Sequence, residues 1–171
     1  MNLLRVKFED SPSGLKEQFT ALTRDAFLDG QGQYEYGPET PSLLILCVEE
    51  QAVIGHLATS VREMLVARRP MKLGLVSGAI VDEGYRRHGC AKAMILEAHN
   101  FFGSQAIEFS ILFAIEPDIY QSSGYREMRS KTRFRDTDGV SREYIYRGGM
   151  VAELTDQPWE DQYLDLCGPI V

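Results

Sequence analysis

A single-domain α/β (α+β) fold is predicted by three features of the sequence. Near the start, Leu4, Val6 and Phe8 alternate with other residues at the period of a half-buried strand. The period then becomes helical, with Leu15, Phe19, Leu22, Ala26 and Phe27 on one stripe, and it does so again at Ala91, Met94, Ile95, Ala98, Phe101 and Phe102. Between and beyond these helices lie β-branched and aliphatic runs bounded by polar or glycine-containing turns.

Taken in chain order, Leu3 to Phe8 is the first strand, and Ser11-Pro12 supplies an N-cap and a first-turn proline for a helix reaching Asp29-Gly30. Residues 30–41 concentrate Gly30, Gly32, Gly37, Pro38 and Pro41 and therefore read as a loop. Ser42 to Val48 and Ala52 to Val66 form a hairpin about the polar turn Glu49-Glu50-Gln51. Lys72 to Val81 is the next strand, in which Gly74 and Gly78 mark a bulge or a close backbone approach. After the helix that starts at Arg87, Ala106 to Ile115 reads as a central strand because its second half is apolar on both faces. Pro117 to Gln121 suits a short helix, and Tyr125 to Phe134 with Arg142 to Leu154 suit two antiparallel strands about Asp136-Thr137-Asp138-Gly139. Gln157 to Val171 reads as an irregular tail whose apolar end packs back onto the domain or onto a second subunit of a homodimer. The sum is about seven strands in one domain, 1–171, with 1–154 as core and 155–171 as tail.

The chain of 171 residues, 44% hydrophobic and 25% charged, can bury a core without disulfides or metal. A net charge of -7 argues against a nucleic-acid partner, since phosphate binding needs clustered Lys and Arg. It is compatible with a cationic substrate and equally with plain solubility. Cys47, Cys90 and Cys167 have apolar neighbours and suit buried free thiols, and no Cys and His spacing fits a zinc site, so no metal is expected. The start lacks the order of a secretory signal and no apolar run approaches membrane-spanning length, which predicts a cytoplasmic protein without a membrane partner.

Chemistry concentrates in Val81-Asp82-Glu83-Gly84-Tyr85-Arg86-Arg87-His88-Gly89-Cys90-Ala91-Lys92, a basic, glycine-containing turn ahead of the long helix. A helix start leaves about four N–H groups unpaired and carries partial positive charge, so it suits a diphosphate. Capping or solubility would account for such a turn on its own. It lacks the Gly-Lys-Ser or Gly-Lys-Thr end of a Walker loop and the three glycines of a dinucleotide fingerprint, which disfavours NTP hydrolysis and hydride transfer.

Arg86-Arg87-His88-Gly89-Cys90-Ala91 resembles the pyrophosphate motif of the GNAT family of N-acetyltransferases, which is Arg or Gln, two residues, Gly, one residue, then Gly or Ala. Ile119-Tyr120-Gln121-Ser122-Ser123-Gly124-Tyr125 resembles that family's second signature, a Tyr followed after three residues by Gly and an aromatic. The resemblance implies a mixed, mostly antiparallel central sheet, splayed between the fourth and fifth strands and flanked by helices. It implies acetyl-CoA, or another acyl-CoA, as co-substrate. Ile80 and Val81 would pair with the pantetheine like an added strand, and Arg86, Arg87, His88, Gly89, Cys90 and Ala91 would wrap the pyrophosphate. Glu83 departs from the proline common at its position.

The activity so implied is acyl transfer to a primary amine of a small molecule by direct attack, with Tyr120 as general acid toward the leaving thiolate. Glu116, at the predicted end of the fifth strand, is the candidate base as a partly buried carboxylate, with Ser77 or His56 as substitutes. Phe27, Tyr34 and Tyr36, on the first helix and the loop after it, are candidates to line the acceptor pocket, since aromatic rings suit a cation. The alternative is a non-catalytic acyl-CoA-binding or regulatory protein of the same fold.

Overall fold

The computed structural model describes residues 1–26, 40–136 and 138–170. They fall into two compact units, Met1–Ser60 with Val76–Ala98, and Val61–Leu75 with His99–Val171.

The first unit holds β1 (Asn2–Val6), α1 (Ser13–Ala26), β2 (Leu43–Glu49), the start of β3 (Ala52–Val66), the end of β4 (Arg69–Val81) and most of α2 (Cys90–Gly103). β1 runs antiparallel to β2, and β2 antiparallel to β3, from Leu43↔Thr59 to Glu49↔Ala52. Glu50 and Gln51 turn the hairpin with positive φ at both positions, 49° and 71°, the backbone that matches strand twist in a two-residue turn. The predicted hairpin is therefore found, one residue displaced. Leu43 to Cys47 are buried on both faces, and Phe19 of α1 packs on Leu44, Leu46 and Ala58.

Two expectations near the start change. β1 stops at Val6 with Leu3 and Leu4 exposed, because it pairs with β2 alone as an edge strand. Ser11 does not cap α1; its hydroxyl donates to the Lys7 carbonyl at 3.2 Å, and the Pro12 carbonyl accepts the first helical N–H groups, from Leu15 and Lys16. The expected stripe of α2 is observed, with Met94, Ile95, Ala98 and Phe102 buried.

The second unit holds the rest of β3 and β4 together with β5 (Phe109–Phe113), α3 (Asp118–Gln121), β6 (Tyr125–Glu127), β7 (Lys131–Arg135), β8 (Ser141–Ile145), β9 (Gly149–Glu153) and β10 (Leu164–Pro169). Its strands lie in the order β6-β9-β5-β4-β3-β10-β7-β8. β5 is parallel to β4 at Gly74↔Ser110 and Leu75↔Ile111, β10 is parallel to β7, and the β5–β9, β6–β9, β7–β8 and β3–β10 pairs are antiparallel. The sheet is thus mixed and mostly antiparallel, as expected. Its core includes Leu73, Leu75, Phe109, Ile111, Trp159 and Leu164.

Ten strands are formed among the described residues where about seven are predicted. Tyr125 to Phe134 divides because its first part pairs with β9 and its second with β8 and β10, at opposite ends of the strand order. Arg142 to Leu154 divides at Gly148, whose φ of 91° lets its carbonyl accept the Ala114 N–H at 2.9 Å. The predicted irregular tail contains β10, which buries Leu164 and Leu166 between β3 and β7. The buried Arg62 guanidinium holds it by donating to the carbonyls of Leu166 at 3.4 Å and Pro169 at 2.7 Å. The tail therefore packs within its own chain. Cys167 of β10 is exposed, not buried as expected, because the strand's alternation buries Leu164 and Leu166 and turns Cys167 to the other face. Ile115 is 96% exposed, since β5 ends two residues earlier. No helix among the described residues is long and apolar enough to cross a membrane.

Gly74 realises the close approach expected of it, since a Cβ there would stand 2.7 to 2.8 Å from the fully buried Phe102 ring. Gly74→Ala should destabilise the chain by about 1–3 kcal/mol through overpacking, read from the urea midpoint. An unchanged midpoint would show that Phe102 moves aside freely.

Candidate active site

In the first unit β4 delivers the chain to α2 through residues 82–89, all of them exposed. Asp82 anchors the turn at both ends of its own residue. Its N–H donates to the Ile54 carbonyl at 2.9 Å, and its Oδ1 accepts the Gly84 N–H at 2.9 Å as N-cap of the 3-10 turn Glu83–Tyr85. Arg86 then folds back, its Nε donating to the Val81 carbonyl at 3.2 Å. That carbonyl, at the last residue of β4, is thereby engaged, while the Ile80 side chain points into the core and is buried.

Arg87 and Gly89 both have left-handed backbone, φ 66° and 82°. Gly89 is the residue type that adopts this without steric cost, and nothing lies within 4 Å of where its Cβ would be. Its carbonyl accepts the Ala93 N–H at 2.9 Å, the first bond of α2. The N–H groups of Cys90, Ala91 and Lys92 precede that ladder, and none of them finds an acceptor among the described residues. No acidic residue stands in the first turn. Exposed Arg87, His88 and Lys92 surround it. The arrangement fits an anion carrying several acceptor oxygens.

Cys90 contributes only its amide. Its Sγ would be 2.7 Å from a Cβ at Gly55, and Cys47 Cβ 3.0 Å from the same point, so the thiol packs over Gly55 beside Cys47 on the face of the β2–β3 pair. Burial and the neighbouring Cys47 thiol push the Cys90 thiol up, which keeps it protonated and unreactive. A cleft of 340 Å³ borders the loop, lined by Glu49, Ile54, Gly84, Tyr85, His88 and Cys90 among others.

His56, weighed as a base, lies within the β3 core with no exposure. Its Nδ1 stands 2.8 Å from the Gly78 carbonyl, which can only accept, so Nδ1 carries the proton and donates. Burial lowers its pKa to about 4, partly opposed by that bond. Gly78 has a φ of 55°, a left-handed turn inside β4 that the sequence marked as a bulge or close approach.

In the second unit α3 is a single turn that carries Tyr120, and no side chain caps it at Pro117. Tyr120 is half-buried, and no hydrogen-bond partner for its hydroxyl is found among the described residues. Burial, then the charge of Glu116, raises its pKa above the usual phenol range. Glu116 itself is exposed, where partial burial was expected, because β5 ends at Phe113 and residues 114–116 lie past its last paired residue. Tyr120 meets Tyr125 edge-on, with ring centroids 6.2 Å apart and planes at 79°. Tyr125 is buried, and its hydroxyl shares a hydrogen bond of 2.5 Å with Ser110 Oγ on β5. The His99 ring of α2 packs on Tyr125 with ring centroids 5.2 Å apart and planes at 49°, and burial lowers its pKa to about 4.

The structure thus brings Arg86, Arg87, His88, Gly89, Cys90 and Ala91 together at one helix start, and places Tyr120 beside Glu116 on one short turn. Phe27, Tyr34 and Tyr36 lie outside the described residues. Ser110 was missed by the sequence reading, although a lone serine within the apolar run Ile107 to Ile115 is the signal that could have marked it.

A sequence-family profile described as "Acetyltransferase (GNAT) domain" matches residues 12–128. Among solved structures, a GNAT family N-acetyltransferase (YhbS) from Escherichia coli in complex with CoA aligns with TM-score 0.57 and 17% identity, over 88% of this chain and 73% of that one. An aminoglycoside acetyltransferase from an uncultured soil metagenomic sample aligns with TM-score 0.58 and 18% identity, over 71% and 86%. A GCN5-related N-acetyltransferase from Anabaena variabilis aligns with TM-score 0.62 and 18% identity, over 74% of this chain, which spans only 32% of that protein. At these identities the likeness shows the fold.

The two depressed histidines make a pH prediction. Each binds its proton in the unfolded chain near pH 6.5 and in the folded chain only near pH 4, so stability is fully present above 6.5 and is lost as pH falls toward 4. Between pH 7 and 5 His56 alone should account for a loss of about 2 kcal/mol. Urea midpoints at the two pH values check this, and equal midpoints would contradict it.

Proposed function

Given that the chain belongs to the GNAT acetyltransferase family, we propose that it transfers an acyl group from acetyl-CoA to a primary amine of a small molecule. The observation that carries this reading is the open start of α2, where three amides that find no acceptor among the described residues stand beside Arg87, His88 and Lys92 and away from any first-turn carboxylate. Those groups would hold the coenzyme's diphosphate, with the amides as donors and the side chains as counter-charge. Gly89 leaves the approach clear, whereas any larger residue would both strain φ and fill it.

The coenzyme, when bound, supplies an activated acyl thioester. The chain's contribution is to seat it and to return a proton to the leaving sulfur. Tyr120 is the proposed acid. Its phenol holds its proton more tightly than an ordinary tyrosine and finds no acceptor among the described residues, which supports donation to a partner from outside. Glu116 is exposed beside it, and as a base it would relay an amine proton through water. An aminoglycoside acetyltransferase of the same fold supports a small-molecule amine as the class of acceptor.

Calorimetry with acetyl-CoA should show binding, and Gly89→Val should weaken it by about tenfold or more. ATP binding more tightly than CoA would turn the assignment toward another phosphate ligand. With an amine panel and a thiol readout, Tyr120→Phe should keep CoA affinity while lowering kcat about 10²-fold. Because the raised phenol must lose its proton before activity falls, the alkaline limb of the wild-type kcat profile should lie above the usual tyrosine range. Binding without turnover of any amine would favour a non-catalytic role.

A further inference from the structure

Tyr120 rides on a helix of four residues, Asp118–Gln121. One turn has no stability of its own, because helix nucleation is unfavourable until several further bonds are added. The local bonds, Tyr120 N–H to Pro117 O at 3.1 Å and Gln121 Nε2 to Asp118 Oδ1 at 2.9 Å, close the turn without setting the direction of the Tyr120 ring. The ring packs on that of Tyr125, at 6.2 Å and nearly perpendicular. Edge-on aromatic packing is directional, so the orientation of one ring constrains the other.

Tyr125 in turn is fixed at two points. Its backbone is in register with Ala152 of β9, and its hydroxyl reaches Ser110 Oγ at 2.5 Å. Ser110 is fully buried and sits opposite both Gly74 of β4 and Ala152 of β9, so it is held from both sides in the middle of the strand order. A serine inside an apolar strand and a tyrosine hydroxyl inside the core are each costly unless they satisfy one another. Tyrosine's ring alone would pack as well as phenylalanine. The hydroxyl adds a tether from the rigid sheet to the ring that Tyr120 leans on.

We propose that Ser110 and Tyr125 form a positioning pair that aims the Tyr120 hydroxyl, the hydrogen bond between them holding the Tyr125 ring against which Tyr120 packs. This inference rests on the reading of Tyr120 as general acid. Neither residue touches the reacting atoms; both act through Tyr120.

The test is an activity cycle with acetyl-CoA and a panel of spermidine, tryptamine and an aminoglycoside, read as released CoA thiol. Tyr125→Phe and Ser110→Ala should each lower kcat about tenfold and leave the KM for acetyl-CoA within about twofold. In a Tyr120→Phe background the same two substitutions should cause no further loss, because the group they aim is already gone. The double variant Ser110→Ala with Tyr125→Phe leaves no unpaired partner, so its urea midpoint should return toward wild type while its kcat stays low. Additive losses in the Tyr120→Phe background, or a kcat that recovers along with stability, would overturn the positioning role and reduce the pair to packing. A Tyr120→Phe variant with wild-type kcat, or a wild-type chain that releases no thiol with any of the amines, would instead overturn the acid assignment beneath it.

Discussion

Amides that begin a helix have no partner within it, and at the start of α2 no acceptor for them is found among the described residues. Every feature of the preceding turn helps keep that start open. Asp82 spends its carboxylate on Gly84, Arg86 spends its Nε on Val81, and left-handed backbone at Arg87 and Gly89 redirects the chain into the helix axis. The Cys90 side chain at the helix start is buried over Gly55, on the face of the β2–β3 pair, where a Cβ would leave it no room. Around the helix start itself, Arg87, His88 and Lys92 are exposed.

The second unit meets a different constraint, that of holding the half-buried Tyr120 ring on a turn too short to hold itself. Tyr120 has no capping side chain beneath it, and its environment comes from the buried Tyr125 ring. Burial raises the phenols of both Tyr120 and Tyr125, and the two differ in that Tyr125 is fully enclosed with its hydroxyl on Ser110 while Tyr120 is half-buried.

Much of this was legible in the residues. The α2 stripe, the β2–β3 hairpin and its polar turn follow from local periodicity, because burial on one face and turn chemistry act over a few residues. The glycine turn into α2 was legible for the same reason, since glycine at a left-handed position and a first turn without carboxylates are local demands. The division of Tyr125 to Phe134 into β6 and β7 was not, because one continuous pattern pairs with β9 at one place and with β8 and β10 at another. Glu116 was misjudged in burial because its exposure depends on where β5 stops pairing.

By itself, the sequence determined the fold class, the long helix with its anion-suited start, and the two motifs that carry the family likeness, all of which arise from neighbours close in the chain. Only the tertiary structure decided that the tail becomes β10 under the Arg62 guanidinium, that Cys90 faces inward, and that Ser110 meets Tyr125. Those outcomes depend on which strands lie side by side. Strand pairing joins residues far apart in the chain, and no local period records it.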